Sequence, residues 1–259
     1  MLETIGQHSG QLCSLSIEPA PVNTGIVVNG QPLSLENVRA EAGYTSIAGL
    51  LTVEHMLSAL HGLGITNALI TSESKETPIM DGSSLPLASM IETAEQDAAR
   101  KVLNVLRPVE FMDDHAHVRL LPSDAPVYSV EIDYSDTPAI GRDSLEFTLT
   151  PEAYIREIAP ARTFARMKDV EFLHSHGKAF GASLATGIGV EHDKILNPEG
   201  LRMDGEFVRH KVLDAIGDMF TTGLPLIGRY ESSRGGHFHN HQLLLKLMEN
   251  PDNYEVIHA

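Results

Sequence analysis

The segment Glu206-Phe-Val-Arg-His-Lys-Val-Leu-Asp-Ala-Ile-Gly-Asp-Met-Phe-Thr221 has the clearest helical pattern in this chain of 259 residues. Its apolar residues recur at the spacing of one buried helical face: Phe207, Val208, Leu213, Ile216 and Phe220. His210 and Asp214 are four residues apart, so their side chains share one face of this helix. An imidazole and a carboxylate placed in this way can hold one metal ion, although such a pair is more often a surface pair.

A second buried helix is predicted after Thr52, which we expect to be its N-cap residue. Its apolar face consists of Val53, Met56, Leu57, Leu60 and Leu63. Glu54 and His55 lie in its first turn. A glutamate beside a metal-bound histidine is well placed as a general base. The alternative is a carboxylate that interacts favourably with the helix dipole.

The rest of the pattern predicts an α+β fold. Strands are expected at residues 14–17, 26–28, 68–70, 102–107, 117–121, 127–134 and 227–230, and further helices at residues 86–99, 151–158 and 239–248. Each half of the chain runs strands, helix, strand, helix. This order suggests two related α+β domains, each a sheet with helices, at residues 1–103 and 104–259.

Composition limits the function classes. Nineteen basic and 35 acidic residues give a formal charge of −16, which argues against nucleic-acid binding but allows a local basic pocket. A single cysteine, Cys13, rules out an intrachain disulfide and fits a reducing compartment. Neither a secretory signal pattern nor a membrane-spanning apolar run is visible, so we expect a cytoplasmic protein.

Thirteen histidines are many for this length, and three of them, His237, His239 and His241, lie close together near the C-terminus. Such a cluster suggests metal binding, whereas most histidines are surface residues. Gly235 and Gly236 precede His237 and allow close approach of a ligand, so His237 could protonate a leaving amine. We interpret His239 and His241 as surface residues.

Several motifs resemble, in order, those of the UDP-3-O-acyl-N-acetylglucosamine deacetylase family. They are Thr-Val-Glu-His at 52–55, Pro-Ile-Met-Asp-Gly-Ser at 78–83, Ala-Arg-Thr-Phe at 161–164, Leu-Asn-Pro-Glu-Gly-Leu-Arg at 196–202, Glu-Phe-Val-Arg-His-Lys at 206–211, Leu-Asp-Ala-Ile-Gly-Asp at 213–218 and Gly-His at 236–237. The resemblance covers Gly6 to about Leu247. It implies a zinc-dependent amidase of lipid A synthesis, with helices packed between two sheets and the active site at the domain junction.

The resemblance also implies a role for each matching residue. The zinc ligands would be His55, His210 and Asp214. The catalytic residues would be Glu54 as general base, His237 as acid, Thr163 as oxyanion donor and Asp218 as the partner of His237. The substrate contacts would be Phe164, Lys211 and Arg234, with Arg234 near the nucleotide diphosphate. The expected partner is a small amino-sugar substrate. Ferrous iron also fits such a ligand set, and the oligomeric state is left open.

Departures from the family pattern concern the acyl chain. The first strand looks missing or shortened, and the stretch 38–51 looks shorter than usual. Arg166 and Lys178 stand where the family's acyl tunnel is commonly apolar, Ala182 replaces a glycine, and residues 185–186 are Ala-Thr instead of Asp-Asn. Either both charges point outward, or the chain is a divergent paralogue that deacetylates a smaller soluble conjugate. A catalytically inactive sugar-binding protein is a third, more distant alternative.

Overall fold

The computed structural model describes residues 2–41, 43–91 and 101–258. The helices in these ranges are α1 (Glu54–Gly62), α2 (Leu85–Ile91), α3 (Pro151–Ala153), α4 (Met167–Ser175), α5 (Glu206–Met219) and α6 (His237–Glu249). A π-helical turn, Tyr154–Ile158, continues α3, and 3-10 turns cover Leu35–Asn37, Phe220–Thr222 and Pro251–Asn253. Residues 92–99 of the helix predicted at 86–99 lie outside the described residues. Among the described residues, none of the helices is long and apolar enough to cross a membrane.

The strands of the described residues form five sheets. They are β1 (Leu2–Ile5), β2 (Leu12–Pro19), β3 (Ile26–Val28), β4 (Gln31–Pro32), β5 (Val38–Glu41), β6 (Tyr44–Ile47), β7 (Leu50–Leu51), β8 (Ala68–Thr71), β9 (Lys101–Val105), β10 (Val109–Met112), β11 (His117–Leu121), β12 (Val127–Tyr134), β13 (Gly141–Thr148), β14 (Phe164–Arg166), β15 (Ile188–Glu191), β16 (Lys194–Ile195), β17 (Leu226–Ile227), β18 (Arg229–Ser233) and β19 (Tyr254–His258). These elements confirm the predicted α+β class.

Two five-stranded mixed sheets dominate. The first has the order β1-β2-β8-β3-β4, and the second has the order β10-β11-β18-β12-β13. Each contains one parallel pair, β3 with β8 and β12 with β18. Three-stranded sheets of order β5-β6-β7, β14-β15-β16 and β17-β9-β19 accompany them. The division at residue 103 stays a prediction, and β9 runs across that position.

Helices α1 and α5 lie in the interior of this arrangement. All nine residues of α1 are buried, and one continuous hydrophobic cluster joins both large sheets through α1 and α5. The two helices cross closely at Gly217, where an added Cβ would lie 2.1 Å from the carbonyl oxygen of Glu54. Glycine at this position therefore brings the start of α1, with His55, against the last turn of α5, about one turn after Asp214.

Some local predictions were wrong. Thr52 does not cap α1, since Val53 is the N-cap residue and no side chain caps the helix. Thr52 has a φ of +60° and donates its hydroxyl hydrogen to Glu76 Oε1 at 3.0 Å. Helix α6 begins at His237, two residues earlier than predicted. Of the two alternatives for the first strand, missing or shortened, only the first is wrong, because the four-residue β1 is present and pairs with β2.

Candidate active site

Three buried side chains from α1 and α5 converge on one point. Asp214 Oδ1 lies 3.4 Å from His210 Nε2 and 3.7 Å from His55 Nε2. These separations are close to the roughly 3.3 Å expected between ligand atoms around a tetrahedral ion with bonds of about 2.0–2.2 Å. Within the described part of the chain, Asp214 Oδ1 is buried and has no hydrogen-bond partner. The three residues can therefore hold a metal ion.

The protonation states of the two histidines suit this role. His210 Nδ1 lies 3.1 Å from the carbonyl oxygen of Ala161, which can only accept, so Nδ1 carries the hydrogen and Nε2 keeps its lone pair. Burial, followed by the nearby His210, lowers the pKa of His55 to about 3. Both rings are neutral at ordinary pH, which is the form that coordinates a metal.

Lys211 stabilises the negative charge of Asp214, the third candidate metal ligand. Its Nζ lies 2.9 Å from Asp214 Oδ2 and 5.4 Å from the centre of the Phe164 ring. Burial alone would raise the pKa of Asp214, but its electrostatic interactions with His210 and with the Lys211 ammonium outweigh that effect and lower the pKa. Asp214 is therefore a carboxylate whose second oxygen is already occupied and whose first oxygen is free.

A second cluster lies beside this group. His237 Nδ1 donates to Asp218 Oδ2 at 2.8 Å, while His237 Nε2 lies 4.0 Å from Glu54 Oε1. Burial works against the charged imidazole, but the Asp218 and Glu54 carboxylates outweigh it and raise the pKa of His237 to about 10. Burial raises the pKa of Glu54 to about 7. The pair thus combines a proton donor with a carboxylate that can accept a proton.

Sequence reasoning missed two residues that position this cluster. The Thr45 backbone N–H donates to Glu54 Oε2 at 2.9 Å, and its hydroxyl donates to Asp218 Oδ1 at 2.7 Å. Asn240 Nδ2 donates to Asp218 Oδ2 at 2.7 Å. Asn240 stands three residues after His237 on one helix face, a spacing that could have identified it. Thr45 lies in β6 and carries no comparable sequence signal.

Both clusters open into a cleft of about 620 Å³. Thr163, Phe164, Lys211 and Arg234 line it together with Glu54, His55, His210, Asp214 and His237, whereas Asp218 lies behind His237 and is not exposed to the cleft. Another part of its wall is apolar and is formed by Ile79, Phe164, Leu173, Ala179 and Ala182. The cleft therefore presents polar groups at one side and a hydrocarbon-like surface beside Phe164.

Neither charged residue that departs from the family pattern lines this cleft. Arg166 forms ion pairs with Asp136 at 3.0 Å and with Asp169 at 2.5 Å. Lys178 forms an ion pair with Glu41 at 3.2 Å. Of the two earlier interpretations, the outward orientation agrees with the structure. The apolar wall remains free of both charges.

The two C-terminal histidines predicted at the surface are only partly exposed. His239 and His241 are half-buried, and His239 lines the large cleft. His239 Nε2 lies 3.1 Å from Asp113 Oδ2, a hydrogen-bond contact that connects α6 to the turn after β10. The spacing of these two histidines from His237 indicated that all three lie close together in sequence. It could not show which segments pack against His239 and His241.

A second, smaller cleft adjoins the site. It measures about 410 Å³ and is lined by Ile132, Asp133, Tyr134, Ser135, Asp136, Arg166, Lys211, Arg234 and Gly235. Lys211 and Arg234 line both clefts. Arg234 is exposed, has a φ of +61° and donates its backbone N–H to the carbonyl of Glu131 at 3.0 Å. Its side chain therefore adds positive charge between the two clefts.

Comparison with known proteins connects this geometry to a family. Residues 1–249 match the family described as LpxC, UDP-3-O-acyl N-acetylglycosamine deacetylase. The chain belongs to this family. Proteins named UDP-3-O-acyl-N-acetylglucosamine deacetylase are similar to it throughout: the Wolinella succinogenes protein is 41% identical over 98% of this chain and 89% of its own length. Those of Pseudomonas entomophila and Nitratiruptor sp. are 40% and 39% identical over 98% of this chain and 89% and 90% of their own lengths.

Proposed function

We propose that this protein hydrolyses the N-acetyl group of UDP-3-O-acyl-N-acetylglucosamine in lipid A synthesis, with zinc as its metal, in the cytoplasm. The observation that carries the proposal is the convergence of three ligand atoms beside a Glu54–His237 pair in a cleft with an apolar wall. Family membership supplies the substrate, and the site supplies groups suited to amide hydrolysis.

His55, His210 and Asp214 are the proposed zinc ligands. When bound, zinc would supply a Lewis acid at the acetyl carbonyl and lower the pKa of a water molecule to about 7. Two neutral imidazoles and one carboxylate are a typical ligand set for a catalytic zinc site, which keeps one position open. Iron has the same donor preference here, so the experiment below includes it.

Glu54 is the proposed general base. Its Oε2 accepts the Thr45 backbone N–H, which leaves Oε1 on the side of His237. Because burial brings the pKa of Glu54 to about 7, the carboxylate can accept a proton near neutral pH and release it again. Glu54 is the first residue of α1 and directly precedes the proposed ligand His55.

His237 is the proposed acid at the leaving amine. Its Nδ1–H is held by Asp218, so its Nε2–H is the hydrogen that points to the space beside Glu54. A protonated imidazole there stabilises negative charge as it develops and can give its proton to the departing nitrogen. Thr163, which lines the same cleft, is the proposed hydroxyl donor to the acetyl oxygen.

Two further parts of the substrate, the acyl chain and the diphosphate, are proposed to bind at different places in the two clefts. We assign the acyl chain to the apolar wall at Phe164, because burying its methylenes against Leu173 and Ala182 is favourable. We assign the diphosphate to the junction of the clefts, where Lys211 and Arg234 supply positive charge. A smaller conjugate without an acyl chain would leave that apolar wall exposed to water.

The test is acetate release by the zinc-loaded protein from UDP-3-O-acyl-N-acetylglucosamine and from UDP-N-acetylglucosamine, measured side by side. We expect strong preference for the acylated nucleotide. We expect Glu54→Gln to lower kcat by about 10²–10⁴-fold, the usual contribution of a general base. The variant should bind zinc normally, since Glu54 is not a proposed ligand.

Glu152→Gln is the matched control, because it makes the same change at an exposed glutamate of α3. It should leave kcat unchanged. Iron-loaded protein tests the choice of metal. Turnover of the unacylated sugar alone would contradict the proposed substrate, and full activity of Glu54→Gln would contradict the proposed base.

A further inference from the structure

Three side chains form a connected cluster at the rim of the large cleft. Glu41 Oε2 accepts the Tyr44 hydroxyl hydrogen at 2.8 Å and pairs with Lys178 Nζ at 3.2 Å. Lys178 Nζ also lies 4.8 Å from the centre of the Tyr44 ring. We call Glu41, Tyr44 and Lys178 the latch, because the cluster joins β5 and β6 to the segment that follows α4.

The latch adjoins the apolar wall of the cleft. Glu41 itself lines the cleft, and so does Ala179, the residue directly after Lys178. Leu173, six residues before Ala179, also belongs to that wall. A hydrocarbon chain that followed the wall past Ala179 would therefore approach Glu41 and its partner Lys178.

The backbone beside the latch is held in place. Phe180 N donates to the His8 carbonyl at 3.1 Å, and Gly181 N donates to the Gln7 carbonyl at 3.0 Å. A Cβ on Gly181 would lie 2.1 Å from the Gly6 carbonyl oxygen, so the two backbone segments approach too closely for any other residue at position 181. Backbone hydrogen bonds therefore hold this part of the wall, whereas side-chain contacts alone hold the latch together.

We infer that the latch sets the upper limit of the acyl-chain length that this protein uses, an inference that rests on the proposed function. Methylenes packed against the apolar wall gain binding energy, whereas methylenes that reach Glu41 and Lys178 would remove water from two charges. The side chains of Lys178 and Glu41 are 30% and 55% exposed, so both charges are hydrated as they stand. Methylenes that extend beyond the latch are therefore expected to add no binding energy.

The experiment measures kcat/KM for UDP-3-O-acyl-N-acetylglucosamines whose acyl chains increase by two carbons at a time. In the wild type we expect a rise of up to about fourfold per methylene, followed by a plateau where the chain reaches the latch. In Lys178→Met, whose side chain extends the apolar wall, we expect the rise to continue for at least one further step. Glu41→Gln, which removes only the charge, should show the same displacement to a smaller degree.

Lys168→Met is the matched control, because it removes an exposed lysine of α4 that pairs with Asp136 and lies away from the cleft. Its chain-length profile should be that of the wild type. Identical plateaus in the wild type and Lys178→Met would overturn the role of the latch while leaving the proposed function intact. No turnover of any acylated nucleotide by the wild type would overturn both.

Discussion

The centre of the site and the rim of its cleft are built in different ways. At the centre, Glu54, His210, Asp214 and Asp218 are at most 5% exposed, and Thr45 of β6 donates hydrogen bonds to Glu54 of α1 and to Asp218 of α5. At the rim, Arg166 and Lys178 form ion pairs with partners that are about half exposed. The centre thus depends on exact pairing of buried charges, and the rim on interactions with water nearby.

The difference has energetic consequences. Removing one partner from a buried charge pair typically costs about 3–5 kcal/mol, because it leaves a charge without compensation. Exposed ion pairs typically contribute at most about 1 kcal/mol. Substitutions at the centre should therefore abolish metal binding or catalysis, whereas substitutions at the rim should change selectivity without loss of the fold.

The largest effect is expected for Asp214→Ala. The substitution removes the ligand atom that faces both imidazoles and also leaves the half-buried Lys211 without its carboxylate partner. We expect zinc affinity to fall by more than about a hundredfold, the upper range for residues that merely support a ligand. Competition with a chelator would measure it.

Asp143→Ala, at an exposed aspartate of β13, is the control and should bind zinc as the wild type does. Addition of excess zinc should restore little activity to Asp214→Ala. Unchanged stoichiometric zinc binding in Asp214→Ala would mean that the metal binds elsewhere. The proposed difference between the centre and the rim would then be wrong.

An intermediate effect is expected for Asp218→Asn, which keeps the shape of the side chain and removes its charge. Asp218 is the strongest support for the protonated His237, whose pKa it helps to raise to about 10. We expect an alkaline limb of the kcat/KM profile near pH 10 in the wild type, and we expect this limb to move to lower pH in Asp218→Asn. The loss of activity should therefore be greatest on the alkaline side.

The same linkage predicts a change in stability. Because the pKa of His237 is higher in the folded state than its ordinary 6.5, its charged form stabilises the fold below about pH 6.5 and loses that effect as pH rises towards 10. The difference in Tm between the wild type and Asp218→Asn should shrink over that range. An alkaline limb at the same pH in both proteins would show that His237 is not the titrating group.

Much of the centre could be predicted from the sequence. The 3.6-residue period of residues 206–221 identified α5, and the four-residue spacing placed His210 and Asp214 on one face. The contribution of His55 came from family resemblance, since no local pattern shows which helix lies opposite. The close crossing at Gly217 brings α1 there, and such a contact is visible only in three dimensions.

The rim could not be predicted in this way. Whether a long cationic side chain enters a cleft or leaves it depends on partners that are distant in sequence, such as Asp136 for Arg166 and Glu41 for Lys178. Thr45 was missed for a related reason, because its two hydrogen bonds reach α1 and α5 from a short strand of a separate sheet. Periodicity describes one element at a time and not its neighbours.

The smallest effect is expected for Arg166→Met, which tests whether a substitution at the rim leaves stability and activity nearly unchanged. Arg166 lies 5.3 Å from the centre of the Tyr134 ring and pairs with Asp136 and Asp169, and it does not line the large cleft. Methionine keeps most of the packing and loses only exposed ion pairs, so Tm should fall by less than about 4 °C.

The acyl-length profile of Arg166→Met should match that of the wild type, in contrast to the profile expected for Lys178→Met. Both substitutions remove a cation from the rim, but only Lys178 pairs with a residue that lines the cleft, Glu41. If Arg166→Met extended the range of usable acyl chains, the guanidinium would have to reach the apolar wall in solution. Acyl-chain selectivity would then depend on the presence of any cation at the rim. The distance of that cation from the apolar wall would no longer explain it.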